Sequence, residues 1–222
     1  MPKVLAVSDE VVESLWTDGL ADRFGDVELV LGAGDLPFDY LEFLANALDR
    51  PCVFVPGNHD VDLGGYDRAH GLWYRGGFPA TWPGPAGAVN ADGRIVDVAG
   101  VRIAGLGGSI RYNDGPNQWT ERQQSRRAGR LARMARRRRR RDGKTVDVLL
   151  THSPPRHVGD EEDPPHRGFA CLHDTVAALA PTLLVHGHIH PHGQPRPDRE
   201  MGHTRVVNTV GYRILDLPEG PT

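Results

Sequence analysis

The chain is short of lysine and cysteine, with two of each among its 222 residues: Lys3 and Lys144, Cys52 and Cys171. Two cysteines so far apart suggest buried reduced thiols rather than a disulfide framework. They are too few for a thiolate cage, so any bound metal must be held by oxygen and imidazole. No run approaches the roughly 20 apolar residues that a membrane-spanning helix needs. The first apolar run, Val4 to Val7, stops at Ser8-Asp9 and is too short for a signal peptide. A cytoplasmic location is the expectation. Internal repeats and linker-like stretches are missing too, which points to a single domain over residues 1–222.

With lysine scarce, arginine carries the positive charge, and its distribution is uneven. Residues 121–141, ERQQSRRAGRLARMARRRRRR, hold eleven arginines against one glutamate, in a chain whose net charge is −3. The remainder is correspondingly acidic. Helical spacing over residues 117–141 places Ala128, Leu131, Ala132 and Ala135 on one narrow apolar stripe, with the arginines fanning outward. Arginines 136–141 encircle a helix, so that end of the basic arm is expected to project or fray. The arm reads as a solvated face or as a surface that attracts polyanions such as nucleic acid.

Short β-type runs alternate with helical patterns elsewhere, as in an α/β layer fold. The strands expected are 3–8, 27–34, 52–57, 94–100, 101–108, 146–152, 182–188, 204–210 and 212–217. Several are continuously apolar, as strands covered on both faces are. Ala99-Gly100 joins two of them as a hairpin, so the sheet is mixed. Helices are expected over 10–24, 38–49, 117–141 and 171–180. Residues 61–93 and the proline-broken 153–168 resist regular assignment, and long loops in a compact domain often carry function.

Metal-capable side chains recur at the carboxyl ends of these strands. Asp9 ends the first, Asp35 the second, and Asn58-His59-Asp60 the third; His152 ends a later one, and His186, His188 and His190 another. That rim is where open α/β sheets bind ligands. Carboxylates, an amide oxygen and imidazoles suit divalent Mn, Fe or Zn, and two ions side by side can clamp a phosphoryl group. Taken alone, Asp9 is equally suited to capping the stretch that starts at Glu10; the ordered company it keeps favours ligation. Glycines beside the ligands, Gly34, Gly57 and Gly187, permit tight turns and close approach of substrate.

Gly34-Asp35, Gly57-Asn58-His59-Asp60, His152 and Gly187-His188-Ile189-His190 occur in an order that resembles the calcineurin-like metallophosphoesterase family. The resemblance implies a four-layer α-β-β-α sandwich with two mixed β-sheets. It implies two divalent metal ions and hydrolysis of a phosphoester by metal-hydroxide attack on phosphorus. By position, Asp35 bridges the ions. Asn58, His152 and His188 complete the second site, while Asp9 and His190 belong to the first. His59 assists the leaving oxygen as catalytic acid or charge stabiliser, and Asp60 orients its ring. The departure is Val11, where the family has histidine. This weakens the first site and tilts it toward Mn²⁺, unless Glu10, His70 or His166 supplies the missing donor.

The substrate expected is a small phosphodiester or nucleotide. In the loop GDEEDPPHRGF, His166 and Arg167, with Asp160 and Asp163, read as a wall of the substrate pocket or as a polar loop facing solvent. Tyr66, Trp73, Tyr74, Phe78 and Trp82 read as core cover, with one or two rings facing substrate. His186 reads as a core histidine or a support for a ligand, and His192 as a solvated loop residue. Two rival functions are a nuclease that uses the basic arm, and a non-catalytic scaffold with a degenerate first metal site. Oligomeric state has no signature in the sequence.

Overall fold

The computed structural model describes residues 2–191, 193 and 196–217; His192 lies outside them. In chain order the elements begin with β1 (Lys3–Ser8), a 3-10 turn (Glu13–Leu15), α1 (Leu20–Phe24), β2 (Val27–Gly32), α2 (Phe38–Leu48) and β3 (Cys52–Phe54). A small excursion follows: β4 (Tyr66–Ala69), β5 (Leu72–Arg75) and β6 (Phe78–Ala80). Then come β7 (Val89–Asn90), β8 (Ile95–Val98), β9 (Val101–Leu106), β10 (Ser109–Ile110), β11 (Gln118–Trp119) and α3 (Glu121–Asp142). The chain continues through β12 (Val148–Thr151), α4 (Cys171–Leu179), β13 (Leu183–His186), β14 (Arg199–Met201), β15 (Thr204–Asn208) and β16 (Gly211–Asp216).

Two mixed sheets dominate. The first runs β16-β1-β2-β3-β7, with only β16 antiparallel to its neighbour. The second runs β14-β15-β13-β12-β9-β8, four parallel strands between antiparallel edges. Alternate side chains explain the continuous apolar runs. In β1, Val4 and Ala6 join β12's Val148 and Leu150 in a core between the sheets. Leu5 and Val7 face the other way, into a core with Tyr40, Leu41 and Leu44 of α2. Leu149 of β12 likewise turns outward to meet Leu131 of α3 and Leu172 of α4. Three cores between four layers make the α-β-β-α sandwich.

Three local expectations differ from what forms. Residues 10–24 are a 3-10 turn and a five-residue helix rather than one helix, because Gly19 adopts φ 84° between them. Residues 61–93 include the three-stranded β4-β5-β6 sheet, whose turns fall at His70-Gly71 and Gly76-Gly77, all at positive φ. The glycines that looked like loop are hairpin turns. The basic helix begins at Glu121, behind a Thr120–Gln123 capping box, and does not fray through residues 136–141. Its last turn is pinned instead: Asp142 binds Arg102 at 2.9 Å, Arg138 binds Asp97 at 2.9 Å, and Gly143 closes the end in the left-handed region.

Candidate metal centre

The first sheet delivers its carboxyl ends to the same edge as the second. Asp9 follows β1 directly, Asp35 and Asn58 follow the turns after β2 and β3, His152 follows β12, and His188 lies two residues past β13. Main-chain bonds knit the tips together: Asp9 N–H donates to Gly34 O at 3.1 Å, and Gly187 N–H to His152 O at 3.0 Å. One donor atom from each of Asp9, Asp35, His152 and His188 lies within 4.8 Å of all the others. Two carboxylates from one sheet thus meet two imidazoles from the other.

Close approach between the candidate ligands depends on the glycines. A Cβ on Gly34 would stand 2.7 Å from His152 Nδ1, and one on Gly187 would run into Asp9 Oδ2. Asp9, Asp35 and His188 sit at φ 60°, 56° and 68°, a region costly for residues with a Cβ.

Hydrogen bonds aim the donors. His152 Nδ1 bonds Ala33 O at 2.7 Å, leaving Nε2 3.0 Å from Asn58 Oδ1 and 3.3 Å from Asp35 Oδ2. Asp35 Oδ1 accepts the His59 N–H at 2.8 Å, and Asp9 Oδ2 the His188 N–H at 2.9 Å. Electrostatics set the protonation. Burial pushes the Asp9 carboxyl up, against the pull of His152. Burial would also raise Asp35, but the charge and hydrogen bond of His152 outweigh it and hold Asp35 at about 2. Burial lowers His152, yet Asp35 and Asp9 carry it up to about 9; burial and the His152 charge take His188 down to about 3. Two partly exposed carboxylates against two buried imidazoles, with Asn58 at their side, fit a divalent cation.

The remaining residues singled out in the sequence take varied places. His190 is outside the four-residue cluster; its Nδ1 stands 3.1 Å from Glu10 Oε1, and both side chains are half-exposed. Val11, at the position where the resemblance expects histidine, is 39% exposed. His70 lies in the β4–β5 turn, in the small separate sheet. His59 is exposed at the rim. The Asp60 carboxylate does not meet the His59 ring among the described hydrogen bonds; it accepts the N–H groups of Gly57 (2.7 Å) and Asp35 (3.0 Å). Its geometry braces the two ligand loops. His166 comes within 5.4 Å of the His188 ring, centroid to centroid, and bonds Asp163 at 2.7 Å. Arg167 turns to Glu162 O at 3.1 Å. His186 is buried, its Nδ1 2.9 Å from Gly187 O.

Of the aromatic residues expected to cover the core, Trp82 packs against it and Phe78 does not, standing 77% exposed at the outer strand of the small sheet. Trp73 stacks on Trp82 at 4.2 Å, with Tyr66 edge-on to Trp82 at 5.6 Å. Two supporting residues carried no signal in the sequence. Tyr112 Oη accepts from Asn58 Nδ2 at 3.2 Å, and Asn117 Nδ2 donates to both Gly57 O and Asp60 O at 2.9 Å. Both lie in an irregular stretch whose nearness to residues 57–60 exists only in the fold.

A family model described as calcineurin-like phosphoesterase matches residues 11–192. An uncharacterized protein of Haemophilus influenzae is 26% identical over 215 residues, covering 88% of this chain and 81% of its own. The crystal structure of TT1561 of Thermus thermophilus superposes with a TM-score of 0.64 at 16% identity, over 97% of this chain and 94% of that one. Another solved structure gives 0.63 at 16% identity, over 98% and 96%. At such identities the two structures share the fold. No helix among the described residues is long and apolar enough to cross a membrane.

Proposed function

From the premise that the chain belongs to the calcineurin-like phosphoesterases, a family of metal-dependent phosphoester hydrolases, we propose that it hydrolyses a phosphodiester or nucleotide-type substrate. The observation that carries the reading is the meeting of Asp9, Asp35, His152 and His188 within 4.8 Å. Asp35, Asn58, His152 and His188 would hold one ion; Asp9 and Asp35 would hold the other, joined by His190 once it leaves Glu10. Bound there, the ions supply Lewis acidity to phosphoryl oxygens and lower the pKa of water. Two carboxylates with one imidazole make the Asp9 site the harder, and Mn²⁺ suits it.

The chain's own residues do the rest. Exposed His59 would place a proton on, or stabilise charge at, the leaving oxygen. Asp60 and Asn117 keep the loop that carries it registered against Asp35. His166, beside His188, walls the side nearest the residue 153–168 loop. The compact chain favours a small ester. The stacked Trp73–Trp82 pair already uses ring faces that a nucleobase could otherwise claim. Cytoplasmic action on such esters fits the expectations from sequence.

Metal analysis of the purified protein, paired with hydrolysis of a chromogenic diester and monoester in Mn²⁺, tests this. Diester hydrolysis should exceed monoester hydrolysis, and both Asp35→Asn and His188→Ala should abolish it. A second reading, a non-catalytic scaffold, draws on Val11 and the His190–Glu10 contact. Failure to bind metal together with failure to hydrolyse either ester would establish it instead. The nuclease reading gains less, because the arginine-dense end of α3 packs beside Arg102 at the start of β9, the sheet edge opposite the metal ligands.

A further inference from the structure

Arginines 122, 126, 130, 133, 137 and 140 are exposed. At 100° per residue they fall within about 80° of one another, opposite the face that buries Gln124, Arg127, Ala128 and Leu131. They form one stripe about 27 Å long at 1.5 Å per residue. None of the six pairs with a carboxylate among the described residues. The fold does not use these side chains. The helix is held by its buried face, by Arg127 on Asp92 and by Asp142 on Arg102. Like charges at i, i+4 repel, so the stripe opposes the helix it sits on. Beside it, Arg136, Arg139 and Lys144 wall a cleft of about 320 Å³ over Val146 and Leu179, which carries the cationic surface around toward α4.

We propose that this face of α3 is a docking surface for the phosphate backbone of nucleic acid, working independently of the metal centre. The chemistry favours phosphate: planar guanidinium forks bind it in bidentate fashion, and the stripe is arginine throughout. An extended row of cations suits an extended row of anions. A lipid surface fits less well. A helix that lies on a bilayer inserts apolar side chains beside its cations, whereas the apolar residues of α3 face the protein core. The partner is therefore a polynucleotide, DNA or RNA, read through its charge rather than its bases.

The test is fluorescence anisotropy with the full chain and labelled duplexes of about 20 base pairs, DNA and RNA, titrated with KCl in EDTA. Working without metal, and repeating the titration with Asp35→Asn, separates this proposal from the hydrolase reading, since either can fail alone. Six phosphate contacts predict a slope of log K on log salt of about −5 for DNA. Arg126→Ala/Arg130→Ala/Arg133→Ala/Arg137→Ala should flatten it to about −2 and weaken binding at least 100-fold at low salt. The thermal midpoint should not fall, since the variant removes i, i+4 repulsion from the helix, and metal content should not change. The relative affinities for DNA and RNA identify the source of the phosphates. An unchanged slope in the variant, no binding at about 10 µM protein in low salt, or retention on phosphatidylserine vesicles without nucleic-acid binding would overturn the proposal.

Discussion

Metal binding at neutral pH should expel at least one proton, with His152 a source and the raised Asp9 carboxyl able to add to it. The ring donates from Nδ1 to Ala33 O, while Nε2 faces Asn58 Oδ1 at 3.0 Å and Asp35 Oδ2 at 3.3 Å. Both acceptors favour an N–H there. Burial opposes the charge, but Asp35 and Asp9 overcome it and lift the group to about 9. Neutral pH lies about two units below that value, so freeing Nε2 for a metal costs about 3 kcal/mol, on the order of 100-fold in apparent affinity. His188, held down at about 3, and Asp35, at about 2, have no proton to release. Calorimetric titration of Mn²⁺ into metal-free protein, in two buffers of different ionisation enthalpy, should report one proton or more released. Apparent affinity should rise about tenfold per pH unit and level off above pH 9. Because the folded value lies above the unfolded one, this group stabilises the metal-free fold fully below pH 6.5, an effect lost as pH rises through about 9. The thermal midpoint in EDTA should fall over that window. Zero proton release and a flat pH dependence would refute the assignment of a protonated His152.

Val11→His restores an imidazole next to Glu10, close to the Asp9 site. It should tighten the weaker ion by at least about tenfold, the lower end of what metal-supporting residues contribute; unchanged stoichiometry and affinity in equilibrium dialysis would show that position 11 does not face the ions. Leu131→Ala removes a fully buried side chain from the core between α3 and the second sheet. It should destabilise the protein by about 2–5 kcal/mol, measured by urea denaturation, and a loss under about 1 kcal/mol would mean that the basic helix does not contribute to the cooperative fold.

The sequence disclosed most of the layer order because buried strands leave a strong trace. Val4 to Val7 and Val148 to Leu150 are apolar without interruption, since one parity of side chain fills the space between the sheets and the other meets the helices. The β8–β9 hairpin was legible from Ala99-Gly100, which sit at φ 49° and 76° as its two-residue turn requires. The β4-β5-β6 sheet was not, because its strands are mostly exposed and lack a buried parity. The end of α3 misled for the opposite reason. Six arginines give no apolar periodicity, and the anchors that hold them, Asp97 and Arg102, lie about 40 residues upstream.

The site divides along the same line. That Asp9, Asp35, His152 and His188 belong together could be read from their positions at strand ends, since parallel strands send those ends to one edge. How they meet could not. Asp9, Asp35 and His188 occupy left-handed backbone, where a side-chain-bearing residue costs about 1–2 kcal/mol and glycine is nearly free. Glycine would relieve that strain, yet the chain places two carboxylates and an imidazole there, while Gly34 beside them is glycine where a Cβ would stand 2.7 Å from His152. Left-handed backbone also occurs away from the site, at Asp49, Ala99 and Ala180 among others, so the conformation alone does not mark these three; what sets them apart is that their donor atoms fall into one cluster with His152. Capping or core polarity at any one of these positions would not by itself bring two carboxylates and two imidazoles within 4.8 Å of one another.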